Sequence, residues 1–198
     1  MIVGHYAAAL LPYSRLKQHP FWLLLLCANL PEFLWLALAL AGVEAPVPES
    51  LMDASFQNLK VQMTYSHNLV PALVQGLVVG AAVYLWRRHG QLAWWCCFLV
   101  VFHVLCDYVV GFEHQLWDAD SAPVALNTYG TRPQLAMVIE LVFSLLCVFW
   151  YRHTESQHGR PMPRSQLVAL VAVFAIGVAA WFPAATLSLR EQLRAIGF

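Results

Sequence analysis

The sequence predicts an all-α protein, a polytopic bundle of transmembrane helices with five full spans and a short N-terminal helix. Hydrophobic residues make up 60% of the 198-residue chain and charged residues 11%, against roughly 25% charged in an ordinary soluble domain. Five stretches, residues 21–42, 69–86, 91–112, 134–151 and 165–189, have the apolar length of about 17 to 25 residues that a spanning helix needs. The remaining charge falls mostly in the loops between these stretches, and its sign alternates from one loop to the next.

Residues 2–11 come first, an apolar run too short to cross a bilayer alone, so a short or re-entrant helix packed within the bundle is expected. His5 and Pro12 interrupt it and no small-residue cleavage pattern follows, so it is read as part of the mature chain rather than a signal peptide. Arg15 and Lys17 precede the first span, Arg87 and Arg88 join the second to the third, and Arg152, Arg160 and Arg164 join the fourth to the fifth. Basic residues in short loops favour the cytoplasm, which places these three loops on the inner side. The opposite loops, residues 43–68 and 113–133, carry Glu44, Glu49, Asp53, Glu113, Asp118 and Asp120 against Lys60 and Arg132, and read as external. In the first of them a polar turn at Pro46, Pro48 and Ser50 leads into an expected surface helix over residues 51–63. Arg190 and Arg194 run against the charge pattern, which an interfacial C-terminal helix would accommodate. No repeat interrupts residues 1–198, so one integral membrane domain is expected.

A formal charge of zero, with no basic block interleaved with aromatics, excludes nucleic acid as the main partner. Cys27, Cys96, Cys97, Cys106 and Cys147 lie in apolar segments without a C-x-x-C pair and read as small buried hydrophobes. Most tryptophans sit near span ends, where indole anchors at the interface.

Against this apolar background the polar residues within the spans stand out. His103 and Asp107 are one helical turn apart on one face. An ionisable group at membrane depth costs about 2.5 to 3.5 kcal/mol on insertion scales and ordinarily faces a partner or a wet cavity. At a rise of 1.5 Å per residue, His103 and Asp107 lie about 22 and 28 Å from Arg88, Asn29 and Glu32 about 18 and 22 Å beyond Lys17, Glu140 about 18 Å from Arg152, and His67 about 30 Å from Arg87. His5 joins this layer if the N-terminal run enters the bundle, being about 15 Å above Arg15.

Imidazole and carboxylate in one layer suit a divalent metal, and three such ligands plus an open position are the pattern of catalytic zinc. His67, His103 and Asp107 are the leading ligands, with His5 a fourth or a replacement. Glu32 and Glu140 are candidate catalytic bases. Asn29, Tyr65 and Ser66 are candidate hydrogen-bond partners of ligands or substrate, and Glu113 and His114, at the external mouth, are candidate substrate contacts. Structural readings compete at each position. A His103–Asp107 hydrogen bond could serve to orient helices, Ser66 or Asn68 could cap the second span, and Glu32 and Glu140 could be buried as neutral acids.

The ordered motifs Gly4-His5-Tyr6-Ala7, Asn29-Leu30-Pro31-Glu32, Tyr65-Ser66-His67-Asn68 and His103-x-x-x-Asp107 resemble those of the YdjM-like integral membrane proteins of bacteria, over roughly residues 1–145. By position His5 matches the first motif histidine, Glu32 the Asp after Leu-Pro, His67 the histidine of the third motif, and His103 and Asp107 the H-x-x-x-D element. Asn68 stands where the family has Ser, Gln62 and Met63 where it often has His-Arg, and Val110 where it has Thr. The resemblance implies a membrane-bound metal-dependent hydrolase of the bacterial inner membrane, using a divalent metal. Three functions follow as expectations: hydrolysis of an amphiphilic or lipid-like substrate at the outer half of the bilayer; a transport or proton-relay path through the same residues; or a structural membrane subunit without catalysis. Haem ligation by His67 and His103 is a minor variant of the last.

Overall fold

The computed structural model describes residues 1–118 and 120–197, with the side chain of Leu51 outside the description. The described chain is a helical bundle of a multi-pass membrane protein. Two short helices, α1 (Gly4–Ala8) and α2 (Leu10–Tyr13), open it, followed by α3 (Phe21–Ala28) and α4 (Leu30–Leu40). A two-stranded ribbon pairs β1 (Pro46–Val47) with β2 (Lys60–Val61) in antiparallel register, Pro46 opposite Val61. The long helices are α5 (Leu69–Arg87), α6 (Gly90–Val110), α8 (Pro133–Gln157) and α9 (Arg164–Trp181). The short α7 (Thr128–Thr131) precedes α8, and α10 (Leu189–Ala195) ends the chain.

Four helices are each long and apolar enough to cross a membrane: α5, α6, α8, and α9 with its 3-10 continuation to Ala185. The stretch expected to form the first full span is bent by 55° between α3 and α4. Proline at position 31 has no N–H to continue the ladder of α3 and disfavours helical backbone at the residue before it. Asn29 takes up the break at φ −120° and ψ 10°, and its side-chain amide donates to the Leu25 carbonyl at 2.9 Å. The fifth expected span is likewise shorter than the apolar run, because Ser188 caps a new helix, α10, with its hydroxyl and Glu191 in a capping box.

Residues 51–63 do not form the expected surface helix. Only Leu51–Asp53 makes a 3-10 turn. Ser55 N–H donates to Asn58 Oδ1 at 2.7 Å and the Asn58 amide to the Asp53 carbonyl at 3.1 Å, local bonds that replace those of a helix. The N-terminal run is, as expected, too short to span and packed within the bundle, against α3, α6 and α8.

Helices α5 and α6 pack closely because Gly76 and Gly80 of α5 face α6. A Cβ on Gly76 would lie 3.0 Å from the Cys97 carbonyl oxygen and 3.0 Å from Val101 Cγ2. Small residues four apart let membrane helices approach in this way. The side chains of Leu77, Val78, Leu85, Val168 and Ile176 are more than three-fifths exposed and form an apolar outer surface suited to lipid.

The loops rich in arginine gather at one end, where Lys17 Nζ meets Glu155 at 2.8 Å and the rings of His19 and His89 meet edge to face. Arg160 ties this end shut, donating to Glu155 at 3.0 Å and to the Ser14 carbonyl at 2.7 Å. Above it Leu16, Leu24, Leu92, Cys96, Leu99 and Val100 make a solid apolar core. At the other end, Arg190 on α10 pairs with Asp53 at 2.5 Å and Phe56 N–H donates to the Ala184 carbonyl at 2.9 Å, joining the first loop to the end of the chain.

Candidate functional site

Each side chain of the polar layer is delivered by a specific local feature. His103 and Asp107 occupy one face near the end of α6, both buried. The break after Ala28 leaves carbonyls at the end of α3 short of helical partners, and Ala28 O accepts a hydrogen bond from His103 Nδ1 at 2.7 Å. The same break starts α4 with Glu32 in its first turn, where the helix dipole favours a carboxylate. His67 lies just before α5, brought to α6 by the Gly76 and Gly80 contact. His5, on α1, stacks on the His103 ring at 3.5 Å between centroids.

The proton positions follow from the partners. Carbonyl oxygen only accepts, so His103 carries a proton on Nδ1, and in the neutral ring its Nε2 is bare. Ser66 Oγ donates its one proton to Glu44 Oε2 at 2.6 Å, and therefore accepts from His67 Nδ1 at 2.9 Å, which leaves His67 Nε2 bare as well. These two nitrogens are 3.2 Å apart. Asp107 Oδ2 lies 3.3 Å from His103 Nε2 and 3.6 Å from His67 Nε2. Three electron-pair donors thus face one another with no proton between them. That arrangement is repulsive alone and fits a cation. Metal–nitrogen bonds of about 2.0 to 2.1 Å in a tetrahedron put neighbouring ligand atoms about 3.3 Å apart, which is close to the edges of this triangle.

Glu32 Oε1 stands farther off, 3.9 Å from His67 Nε2 and 4.0 Å from His103 Nε2, and is one-third exposed. His5 Nε2 lies 3.1 Å from the other Asp107 oxygen, Oδ1, which the Met1 nitrogen also contacts. Ligand atoms of His5, Glu32, His103 and Asp107 all lie within 4.8 Å of one another, so this group could hold a metal ion.

The sequence-predicted residues divide as follows. His5, Glu32, His67, His103 and Asp107 converge. Glu140 has the expected depth but points elsewhere. Its carboxylate accepts the backbone N–H groups of Ile2 at 3.1 Å, Val3 at 2.7 Å and Gly4 at 3.1 Å, together with the Tyr129 hydroxyl. With its oxygens so occupied, Glu140 holds the N-terminal segment in place, and Glu32 is the carboxylate left facing the cluster. Asn29 lines the adjoining cavity while its amide satisfies Leu25. Tyr65 turns its phenol outward and is held through its backbone, its N–H donating to Glu44 Oε1 at 2.5 Å and its carbonyl accepting from Gln75 Nε2 at 3.0 Å. Glu113 is exposed and off the cavity, whereas His114 is buried and lines it. Burial pushes the His114 pKa down to about 3, so its imidazole is neutral.

Neither Ser66 nor Asn68 caps α5 through its side chain. Asn68 Oδ1 accepts Gln115 N–H at 3.1 Å, tying His67 to the segment that carries His114. Glu44 was not singled out by the sequence. It is buried and accepts the N–H groups of Tyr65 and Ser66 besides the Ser66 hydroxyl. Its only sequence signal is an acid two residues past Gly42 in a loop, a position that nothing marks as inward.

A cavity of about 580 Å³ opens onto the cluster. Glu32, His67 and Asp107 form its polar floor, and α4, the first loop, the segment after α6, α9 and α10 supply mostly apolar walls, including Trp35, Phe56, Phe112 and Trp181. A buried set of His and carboxylate ligands opening onto an apolar chamber can hold a cation and admit an amphiphile. Comparison with family models, curated proteins and solved structures finds no match to this chain.

Proposed function

We propose that this protein is a membrane-embedded metal-dependent hydrolase acting on an amphiphilic, lipid-like ester, amide or phosphoester, a divergent relative of the YdjM-like proteins of the bacterial inner membrane. The observation that carries the reading is the triangle of His67 Nε2, His103 Nε2 and Asp107 Oδ2, with edges of 3.2, 3.3 and 3.6 Å, two of whose residues, His67 and Asp107, line the cavity. His67, His103 and Asp107 would hold the metal, zinc being suited to this ligand set, and His5 would bear on it through Asp107 Oδ1. When bound, the metal supplies Lewis acidity and lowers the pKa of water toward neutrality. The chain's own residues do the rest. Glu32, half in the cavity, takes a proton from the attacking water and passes it to the leaving group. Ser66 and Ala28 keep the two imidazoles in the tautomer that presents bare Nε2 atoms. The apolar walls hold the chain of the amphiphile and exclude bulk water.

The transport reading needs a polar route to the arginine-rich end. Leu24, Leu92, Cys96, Leu99 and Val100 fill that direction, which supports the enzyme instead. The loops bearing Arg87 and Arg160 are taken as cytoplasmic, which opens the site toward the outer leaflet.

Elemental analysis of the detergent-purified full chain tests the proposal. About one equivalent of divalent metal is expected, with the content lost in His103→Ala and Asp107→Ala. Absence of metal from the unaltered protein, after equilibration with zinc, refutes it.

A further inference from the structure

We infer that the cavity takes a single-chain amphiphile whose reacting group is an uncharged carbonyl, an ester or amide, and that His114 receives the carbonyl oxygen. The inference rests on the hydrolase reading and narrows its substrate class.

Charge is the first argument. Among the described residues that line the cavity there is no lysine or arginine, and the one cation, the Met1 ammonium, is paired with Asp107 Oδ1; Glu32 and Asp107 are both present. The guanidinium of Arg190 on neighbouring α10 is turned to Asp53. A phosphate ester brings formal negative charge into an apolar chamber, where sites that recognise it ordinarily provide fixed cations or bidentate arginine. Here the two charges of a bound divalent ion would be offset by Asp107 and Glu32, and no further cation among the described lining residues is left unpaired. An uncharged carbonyl brings no such demand.

An unpaired donor is the second. His114 is 1% exposed, yet its imidazole makes no hydrogen bond to any described residue; its Nδ1 is closed off, which leaves Nε2 to an occupant of the cavity that the residue lines. Its ring lies parallel to that of His67, 5.4 Å away, so it stands beside the cluster. Buried polar groups are ordinarily paired, and those that are not call for a specific explanation. The imidazole N–H of His114 suits a carbonyl oxygen, which accepts without carrying charge.

Size is the third. A volume of about 580 Å³ lies within the range of about 300 to 1,000 Å³ that takes one small ligand, the scale of a single acyl chain and its head. In the reaction the oxygen of water bonds to the acyl carbon and the carbon–oxygen or carbon–nitrogen bond breaks. Glu32 carries the proton from water to the departing alkoxide or amine, giving a carboxylic acid and an alcohol or amine.

The test is equilibrium binding to the full chain in nanodiscs, corrected against empty nanodiscs, with three probes sharing one dodecyl chain: an N-methyl amide, a methyl ester and a phosphate monoester. The amide and ester are expected to bind at least about tenfold more tightly than the phosphate. His114→Phe keeps a ring against His67 but no donor, and is expected to weaken amide binding about tenfold; His114→Gln restores a donor and much of that affinity. Phosphate binding as tightly as the amide, or His114→Phe leaving amide affinity unchanged in a folded protein, overturns the proposal. Metal content of the same preparation tests the hydrolase reading separately. A metal-free chain that prefers the amide sinks that reading and supports the carbonyl preference, whereas a metal-loaded chain that prefers phosphate does the reverse.

Discussion

Replacing Ser66 by alanine removes a single oxygen that makes two hydrogen bonds, from His67 Nδ1 at 2.9 Å and to Glu44 Oε2 at 2.6 Å. Glu44 keeps its two backbone donors, so the loop stays anchored, but the buried His67 Nδ1–H loses its acceptor at a cost of about 1–3 kcal/mol. The imidazole can avoid that cost by shifting its proton to Nε2. There it donates to His103 Nε2, 3.2 Å away, and quenches the repulsion that a cation would otherwise relieve. Metal must then displace a proton it did not meet before. Loss of such outer partners lowers metal affinity about 10- to 100-fold, or about 1.4 to 2.7 kcal/mol. Competition with a chromophoric chelator on purified full-length protein measures this directly. Glu44→Gln makes the same test without opening a cavity. The new amide would donate to Ser66 Oγ, turn the serine hydroxyl toward His67 Nδ1, and so force the proton onto Nε2. If Ser66→Ala and Glu44→Gln both bind metal as tightly as the unaltered protein while their melting is unchanged, the tautomer argument is wrong.

Other expectations follow from single contacts. Gly76→Val sets a side chain against the Cys97 carbonyl and Val101, and should cost about 1–3 kcal/mol of stability and weaken metal binding by drawing His67 away from His103, read by thermal melting and chelator competition. Glu140→Gln puts an N–H₂ among the N–H groups of residues 2–4 and should speed hydrogen exchange over α1; unchanged exchange with lost turnover would return Glu140 to the catalytic role. Arg190 holds the Asp53 carboxyl below its usual range, so the tie that docks α10 is present above the ordinary carboxylate pKa of about 3.9 and is lost only as pH falls through the depressed value. Amide exchange in Leu189–Ala195 should therefore show no change in protection from this tie between about pH 8 and pH 5, yet rise on Asp53→Asn at either pH.

Depth along a helix was readable from the sequence, because 1.5 Å per residue measured from a basic anchor needs no tertiary knowledge. It brought His5, Glu32, His67, His103 and Asp107 into one layer, and these five do meet. Direction around the helix axis was not readable in the same way. Glu140 shares that layer, but it lies on the face of α8 that meets α1, so it is spent on backbone N–H groups rather than on the cluster. The break at Asn29 was hidden for a related reason. Hydropathy averages over Pro31, so residues 21–42 score as one span, although it is the break that frees the Ala28 carbonyl for His103 and starts α4 at Glu32. Glu44 was the least legible. A loop has no period from which to infer an inward face, and this carboxylate turns in only because the ribbon of β1 and β2 returns the chain to Tyr65 and Ser66, whose N–H groups lie before α5 and need an acceptor. The residue that sets the proton on His67 thus reaches the Ser66 hydroxyl, 22 positions along the chain, only through that closure. A loop insertion that left every motif intact could therefore disable the site by moving Glu44 alone.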